Sequence, residues 1–438
     1  MSAPDDRSAE ARDAPDRSQE AASPGFSLPI QEVRAAGLTA WLVEDHSIPV
    51  VALSWSWHGG AALDPEGQEG TAAMAAALLT EGAGPLQSVA FADALRDQAI
   101  GLSFSADRDG FEGGFRALTD ALPEAVRLAR LAMAEPRLDA EAVERVRARA
   151  VAAAKRTLET PRGQAGRTFW AAAFPGHPAG RQSGGTEESL AAVTIPGLRA
   201  LLARQIRHDG LLVTAAGDIT PARLAAAMEE LFGGLPAGRP ADPPPLPPFH
   251  VFDRKIVSVA SPQSVVVFGQ DGLATGDPDW EAAQVALRIL AGGGFASRLM
   301  QAVRERRGLA YGIGAGLNTL FHRGIIVGAV ATENARVAET LSVTREEWAR
   351  MAERGPTEAE LADAVAFLTG SLPLQFSDSR RIADTLLGMR QNGRPVDWLA
   401  GRPERLAALT RERVAAVSAR LLRPADLSVV IAGQPAGL

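Results

Sequence analysis

Two polar side chains of this chain stand at a spacing from which they can act together. Arg304 and Tyr311 lie seven residues apart in RERRGLAY, and Tyr311 is the only tyrosine. A guanidinium is permanently charged and presents several donors in one plane. A phenol adds a single directional O–H. Both suit a developing oxyanion. On spacing alone the ordinary reading is a solvated helix arginine and a tyrosine that fills core. The local pattern can still aim both groups at one point. SRLMQAVRER reads as a helix with Leu299 and Val303 on one face, Gly308 is placed for a left-handed cap, and Tyr311 then starts a strand.

The six histidines offer less. They are His46, His58, His177, His208, His250 and His322, and no two lie three to five residues apart. A zinc peptidase site usually takes two His from one helix turn plus a carboxylate. His46 reads as a turn residue, His58 as a strand-end histidine and His177 as a loop residue. The chain has no cysteine, which excludes disulfides, thiolate metal sites and a cysteine nucleophile. It has no Walker loop, no GxSxG elbow and no dinucleotide-binding fingerprint after a strand.

The elements that must position these residues fall into two halves. With 438 residues, 46% apolar and 22% charged, the chain is globular and too long for one ordinary core. The net charge of −7 argues against a nucleic-acid face, and no apolar run reaches membrane-spanning length. Residues 1–26 are polar and Pro-bearing, and read as a flexible tail without the apolar stretch of an export signal. The clearest boundary is Gly238 to His250, in which six of thirteen residues are proline. Such a stretch behaves as a stiff connector. It separates residues 27–237 from residues 251–438. The first half runs through the strand-like LTAWLVED and VVALSWSWHGG, the helical GTAAMAAALLTEG, the alternating LSFSADRDGFEGGF, long Ala- and Arg-rich helices, and LLVTAAGDI. The second runs through SVVVFGQ, the helical WEAAQVALRILAGG, the strand-like GIIVGAVAT, more helices, and DLSVVIAG. The expected fold is α+β: two similar domains of mixed β-sheet with helices packed on one face.

Two segments carry a family resemblance: HGGAALDPEGQEGTAAMAAALLTEGAG, from His58 to Gly84, and GGGFASRLMQAVRERRGLAYGI, from Gly292 to Ile313. With HPAGRQSGGTEESLAAVT near His177 and LLVTAAGDIT near Gly217, they resemble the pitrilysin/insulinase-type metallopeptidases, especially the bacterial processing-peptidase-like branch. In active members a helix reading G-L-A-H-x-x-E-H holds the zinc with two His and polarises water with the Glu. Over Gly70 to Ala77 those three positions are Ala73, Ala76 and Ala77, and the third zinc ligand falls at or near Ala154. An alanine has no lone pair to offer a metal, yet it is the best helix former, so the helix can persist without the site.

The resemblance implies that Arg304 and Tyr311 match the family's Arg/Tyr pair, which binds the substrate backbone and the tetrahedral intermediate. It implies that Gly292, Gly293 and Gly294 form a substrate-touching loop, since glycines let a backbone approach closely. It further implies a non-catalytic subunit of a heterodimeric zinc peptidase, or of a dimer of heterodimers. No metal would be held in this chain; the zinc would sit in a homologous, motif-bearing partner. Peptide substrates would be held as an added strand, with no nucleic acid and no membrane insertion involved. The alternative is a structural or peptide-binding subunit without an enzymatic role. An independent hydrolase finds no nucleophile–base set to support it. Relatives of this type are commonly exported, so the expected location is the periplasm, with the cytoplasm as the alternative.

Overall fold

The computed structural model describes residues 28–292 and 294–438. The expected tail, residues 1–26, and Gly293 lie outside the described residues.

Alternating and continuous apolar runs form two sheets. The first contains β1 (Ile30–Ala35), β2 (Leu38–Glu44), β3 (Val50–His58), β6 (Gly101–Ala106), β7 (Gly110–Leu118) and β8 (Leu212–Gly217). A two-stranded ribbon, β4 (Gly82–Ala83) with β5 (Leu86–Gln87), stands apart from it. The second contains β9 (Arg254–Ser258), β10 (Gln263–Ala274), β11 (Ile313–Leu320), β12 (Arg323–Glu333) and β13 (Ser428–Gly433). Their orders are β1-β2-β8-β3-β7-β6 and β11-β12-β10-β13-β9. Read from opposite ends the two orders coincide, with β1 as an extra edge strand. In each sheet the closing strand pairs parallel with an early strand, β8 with β2 and β13 with β9, and antiparallel with its other neighbour. The fold is therefore mixed α+β, and its duplication extends to strand order and direction.

Each half packs its own helices on one face of its sheet, over cores that include Trp55, Phe111 and Phe115 in the first half and Phe268, Trp348 and Ile431 in the second. The opposite face of each sheet takes a helix from the other half. The helix Pro161–Ala173 lays Ala165, Phe169 and Ala173 on Val265, Val267 and Val430 of the second sheet. The helix Ser379–Gln391 lays Ile382, Ala383 and Leu386 on Val43, Ala52 and Ala216 of the first. Polar contacts fix the second exchange: Ser54 donates to Asp384 at 2.6 Å and Thr214 to the Ala383 carbonyl at 2.8 Å. An apolar sheet face left in water is costly at about 25 cal/mol per Å². The exchange covers both faces of both sheets and ties the halves together. The proline-rich segment Gly238–His250, without helix or strand, links them.

Candidate functional site

The first group of site residues sits on the helix Thr71–Leu78. Gly70 precedes it at φ 94°, and a Cβ there would meet Leu190 at 2.8 Å and the Gly184 backbone at 3.0 Å. Only glycine fits that entry. The helix carries Ala73, Ala76 and Ala77, and Ala154 lies on the facing helix Ala140–Glu159. Three of the four converge: Ala73, Ala77 and Ala154 line one open cavity of about 630 Å³, together with Met74, Ala150 and Thr157. Ala76 is not in that wall; it is 1% exposed and packs into the core of the first half. The cavity wall is mostly apolar, and its charged part is self-paired. Glu81 is bridged by Arg149 and by Arg145, the latter at 2.6 Å, and accepts from Ser88 at 2.8 Å. Burial pushes the Glu81 carboxyl up, but these donors hold it below the usual carboxylate range. Every residue of this wall belongs to the first half, so Arg304 and Tyr311 take no part in it.

The alanine helix is held by a residue that the sequence reading passed over. Asp64, 5% exposed, accepts from the Gly70 and Ala72 amides at 2.8 Å each and so caps the helix N-terminus. Burial pushes its carboxyl up to about 7, against those two hydrogen bonds. The signal was present in LDPEGQEG, an Asp shortly ahead of a helix, but the gap to Gly70 is longer than an ordinary capping spacing. The pH dependence follows. Between about pH 4 and 7 the folded chain holds a proton on Asp64 that the unfolded chain has released. That contribution to stability is full below the unfolded pKa and is lost as pH rises through 7. Urea unfolding from pH 4 to 8 should show this fall, and Asp64→Asn should flatten it. An unchanged slope in the variant would remove Asp64 as its source.

The histidines remain apart. His46 bonds Asp218 at 2.6 Å, which raises its pKa. His58 ends β3, and burial lowers its pKa. His177 accepts from the Ala179 amide at 3.1 Å in a loop. Among the described residues no group of three or more His, Cys, Asp or Glu is placed to hold a metal ion.

The second group forms around Arg304. Its segment is helical as expected, but Met300–Glu305 winds as a π-helix, and Arg288–Gly292 does the same before the glycine loop. Such turns often mark functional sites. Gly308 takes φ 59°, its amide bonding the Arg304 carbonyl at 2.8 Å, so it ends the helix as its position predicted. Tyr311 lies in the turn and not in the strand, because β11 begins at Ile313. Nor does it fill core: it is 86% exposed. Its ring lies 4.5 Å from the Arg304 guanidinium carbon. The Arg304 side chain is only 26% exposed, which ends the reading of it as a freely solvated residue. The sole charged contact of that side chain among the described residues is Glu305, 3.4 Å from its Nε. The Tyr311 hydroxyl has no hydrogen-bond partner among the described residues. Gly292 accepts from Arg288 Nη1 at 2.7 Å, and Gly294 stands at φ 56° with open space where a side chain would be.

Residues 193–368 match the family model described as the peptidase M16 inactive domain. The chain is 26% identical over 353 residues to a non-peptidase homolog, YmxG, of Helicobacter pylori, covering 80% of this chain and 81% of that one. It is 32% identical over 214 residues to an uncharacterized zinc protease of Mycobacterium bovis, 48% of this chain and 49% of that one. The crystal structure of a peptidase M16 inactive domain from Pseudomonas fluorescens superposes with a TM-score of 0.87 at 25% identity, covering 93% of this chain and 98% of that one. Residues 193–368 thus match the M16 inactive domain, and the chain as a whole is similar to M16 proteins, the pitrilysin/insulinase type. Its relatives and neighbours include inactive-type, non-peptidase members.

Proposed function

We propose that this chain is the non-catalytic subunit of a heterodimeric zinc metallopeptidase. A homologous partner carries His-x-x-Glu-His and the zinc, and this chain supplies Arg304 and Tyr311 to the partner's site. The observation that carries the reading is the Arg304–Tyr311 pair, stacked at 4.5 Å with the phenol presented to solvent. A scaffold has no need to hold an exposed tyrosine against an arginine. The two halves of each chain clasp the other pair around a central cavity, and peptides lie extended by main-chain hydrogen bonds. Gly292 and Gly294 belong to the substrate-facing loop, where an open, side-chain-free backbone lets a peptide approach. Among the described residues no helix is long and apolar enough to cross a membrane. The periplasm is the proposed location. A native gene that starts at Met1 with no export signal upstream would move it to the cytoplasm.

The test is association. Mixed with a motif-bearing M16 protein from the same organism, the chain should elute as a heterodimer that hydrolyses peptides, while the chain alone cleaves none. Separate elution of the two proteins at micromolar concentration would sink the proposal. A heterodimer whose activity ignores Arg304 and Tyr311 would leave the chain a structural subunit.

A further inference from the structure

Phe295 is an apolar residue out of place. It is 60% exposed, on the short turn Gly294–Ala296 that follows the glycines. Exposure of a large ring beside glycines suggests a floppy tip, but the described residues on either side are tied down. Gln301 Nε2 donates to the Phe295 carbonyl at 2.7 Å, and Ser297 Oγ donates to the Gly294 carbonyl at 3.1 Å. Before the glycines, Arg288 stacks on Phe367 at 3.4 Å while bonding the Gly292 carbonyl. So held, the Phe295 ring comes to 4.5 Å from the Arg304 guanidinium carbon, the same distance as Tyr311. Each ring offers its face to one guanidinium, and the two rings make no contact with each other among the described residues.

A guanidinium stacked on aromatic rings keeps its N–H donors in its own plane, pointing outward. No hydrogen bond among the described residues occupies the Nη donors of Arg304. We infer that Phe295 is a positioning residue for Arg304: with Tyr311 it holds the guanidinium edge-on, so that its in-plane donors meet a peptide carbonyl oxygen. The ligand class is an extended peptide backbone, recognised through its carbonyls and not its side chains. The inference deepens the proposed role of Arg304 and rests on it. It adds that the glycine loop acts through the arginine as well as by its own backbone.

Two readouts separate the inference from the reading beneath it. The first needs no partner. Because Tyr311 is the only tyrosine, a chain made with ring-labelled tyrosine gives one set of NMR ring signals. Phe295→Leu keeps the apolar bulk and removes the aromatic face, so Arg304 shifts and those signals should move; Phe295→Trp keeps an aromatic face without adding a second tyrosine and should leave them near the wild-type positions. The second is peptide hydrolysis by the heterodimer with the same variants. Phe295→Leu should lower kcat/KM by about 3- to 10-fold, the size of one stacking contact, through KM if Arg304 holds the ground-state peptide and through kcat if it acts only in the transition state. Phe295→Trp should restore the rate. Unmoved ring signals in Phe295→Leu would overturn the positioning role whatever the activity. So would moved signals with full hydrolysis, provided that Arg304→Ala impairs hydrolysis in the same assay. If Arg304→Ala is silent as well, the proposed function has failed, and the role of Phe295 as a peptide-site residue fails with it.

Discussion

A chain carrying Ala73→His, Ala77→His and Ala154→Glu should hold one zinc ion, and the natural chain assayed beside it should hold none. The three positions line the same cavity, on two facing helices. Two histidines four apart on one helix turn and a carboxylate across the gap make the ligand set of a catalytic zinc site. Room is available: the cavity holds about 630 Å³, Ala77 is exposed and Ala73 is half-buried. The helix cost is about 0.6 kcal/mol for each Ala→His change, which a metal bound at 100 times its Kd offsets with about 2.7 kcal/mol of added stability. Ala76 is best left alone, because it is 1% exposed and a glutamate there would bury a carboxylate. Metal analysis after gel filtration, with thermal unfolding at rising zinc, checks the outcome. Absence of zinc in a folded triple variant would mean that these alanines do not occupy the family's ligand positions.

The second large effect is expected in the proposed heterodimer. Tyr311→Phe in this chain alone should cut turnover by about 10²–10³, the usual cost of one oxyanion donor. The isolated subunit should unfold as before, within about 0.5 kcal/mol, because the hydroxyl is unbonded and the ring 86% exposed. Arg304→Ala should be at least as damaging, since it removes the charge and the stacking partner of both rings. Arg304→Lys keeps the charge but loses the planar fork and should rescue only in part. A loss confined to kcat would place the contact in the transition state, and a loss in KM would place it on the bound peptide. Full activity in both Tyr311→Phe and Arg304→Ala would reduce the subunit to a scaffold.

Much of this was legible in one dimension because it depends on near neighbours. Apolar runs such as LTAWLVED, SVVVFGQ and DLSVVIAG became β2, β10 and β13. A strand on a sheet buried on both faces must be continuously apolar wherever the rest of the chain lies. Gly308 ended its helix as expected because a left-handed cap is a local demand. Alanines at 73, 76, 77 and 154 could be read at once, since the chemistry a side chain lacks is a property of its type. The short edge strands β1 and β9 were not expected. Their residues, IQEVRA and RKIVS, are polar enough to pass for loop, and pairing supplies what their pattern does not.

Only the tertiary structure decided which surfaces meet. The helices Pro161–Ala173 and Ser379–Gln391 each have an apolar face, but nothing in that face says that it belongs on the other half's sheet. Ala154 joins Ala73 and Ala77 in one wall, while Ala76, one residue from Ala77, turns into the core, because 100° of helix rotation separates them. Asp64 and Phe295 were invisible for the same reason. One caps a helix across a loop and the other stacks on an arginine nine residues away. Periodicity reports which face of an element is apolar. What that face touches depends on the whole chain's competition to leave water, and that is settled only when both halves have folded together.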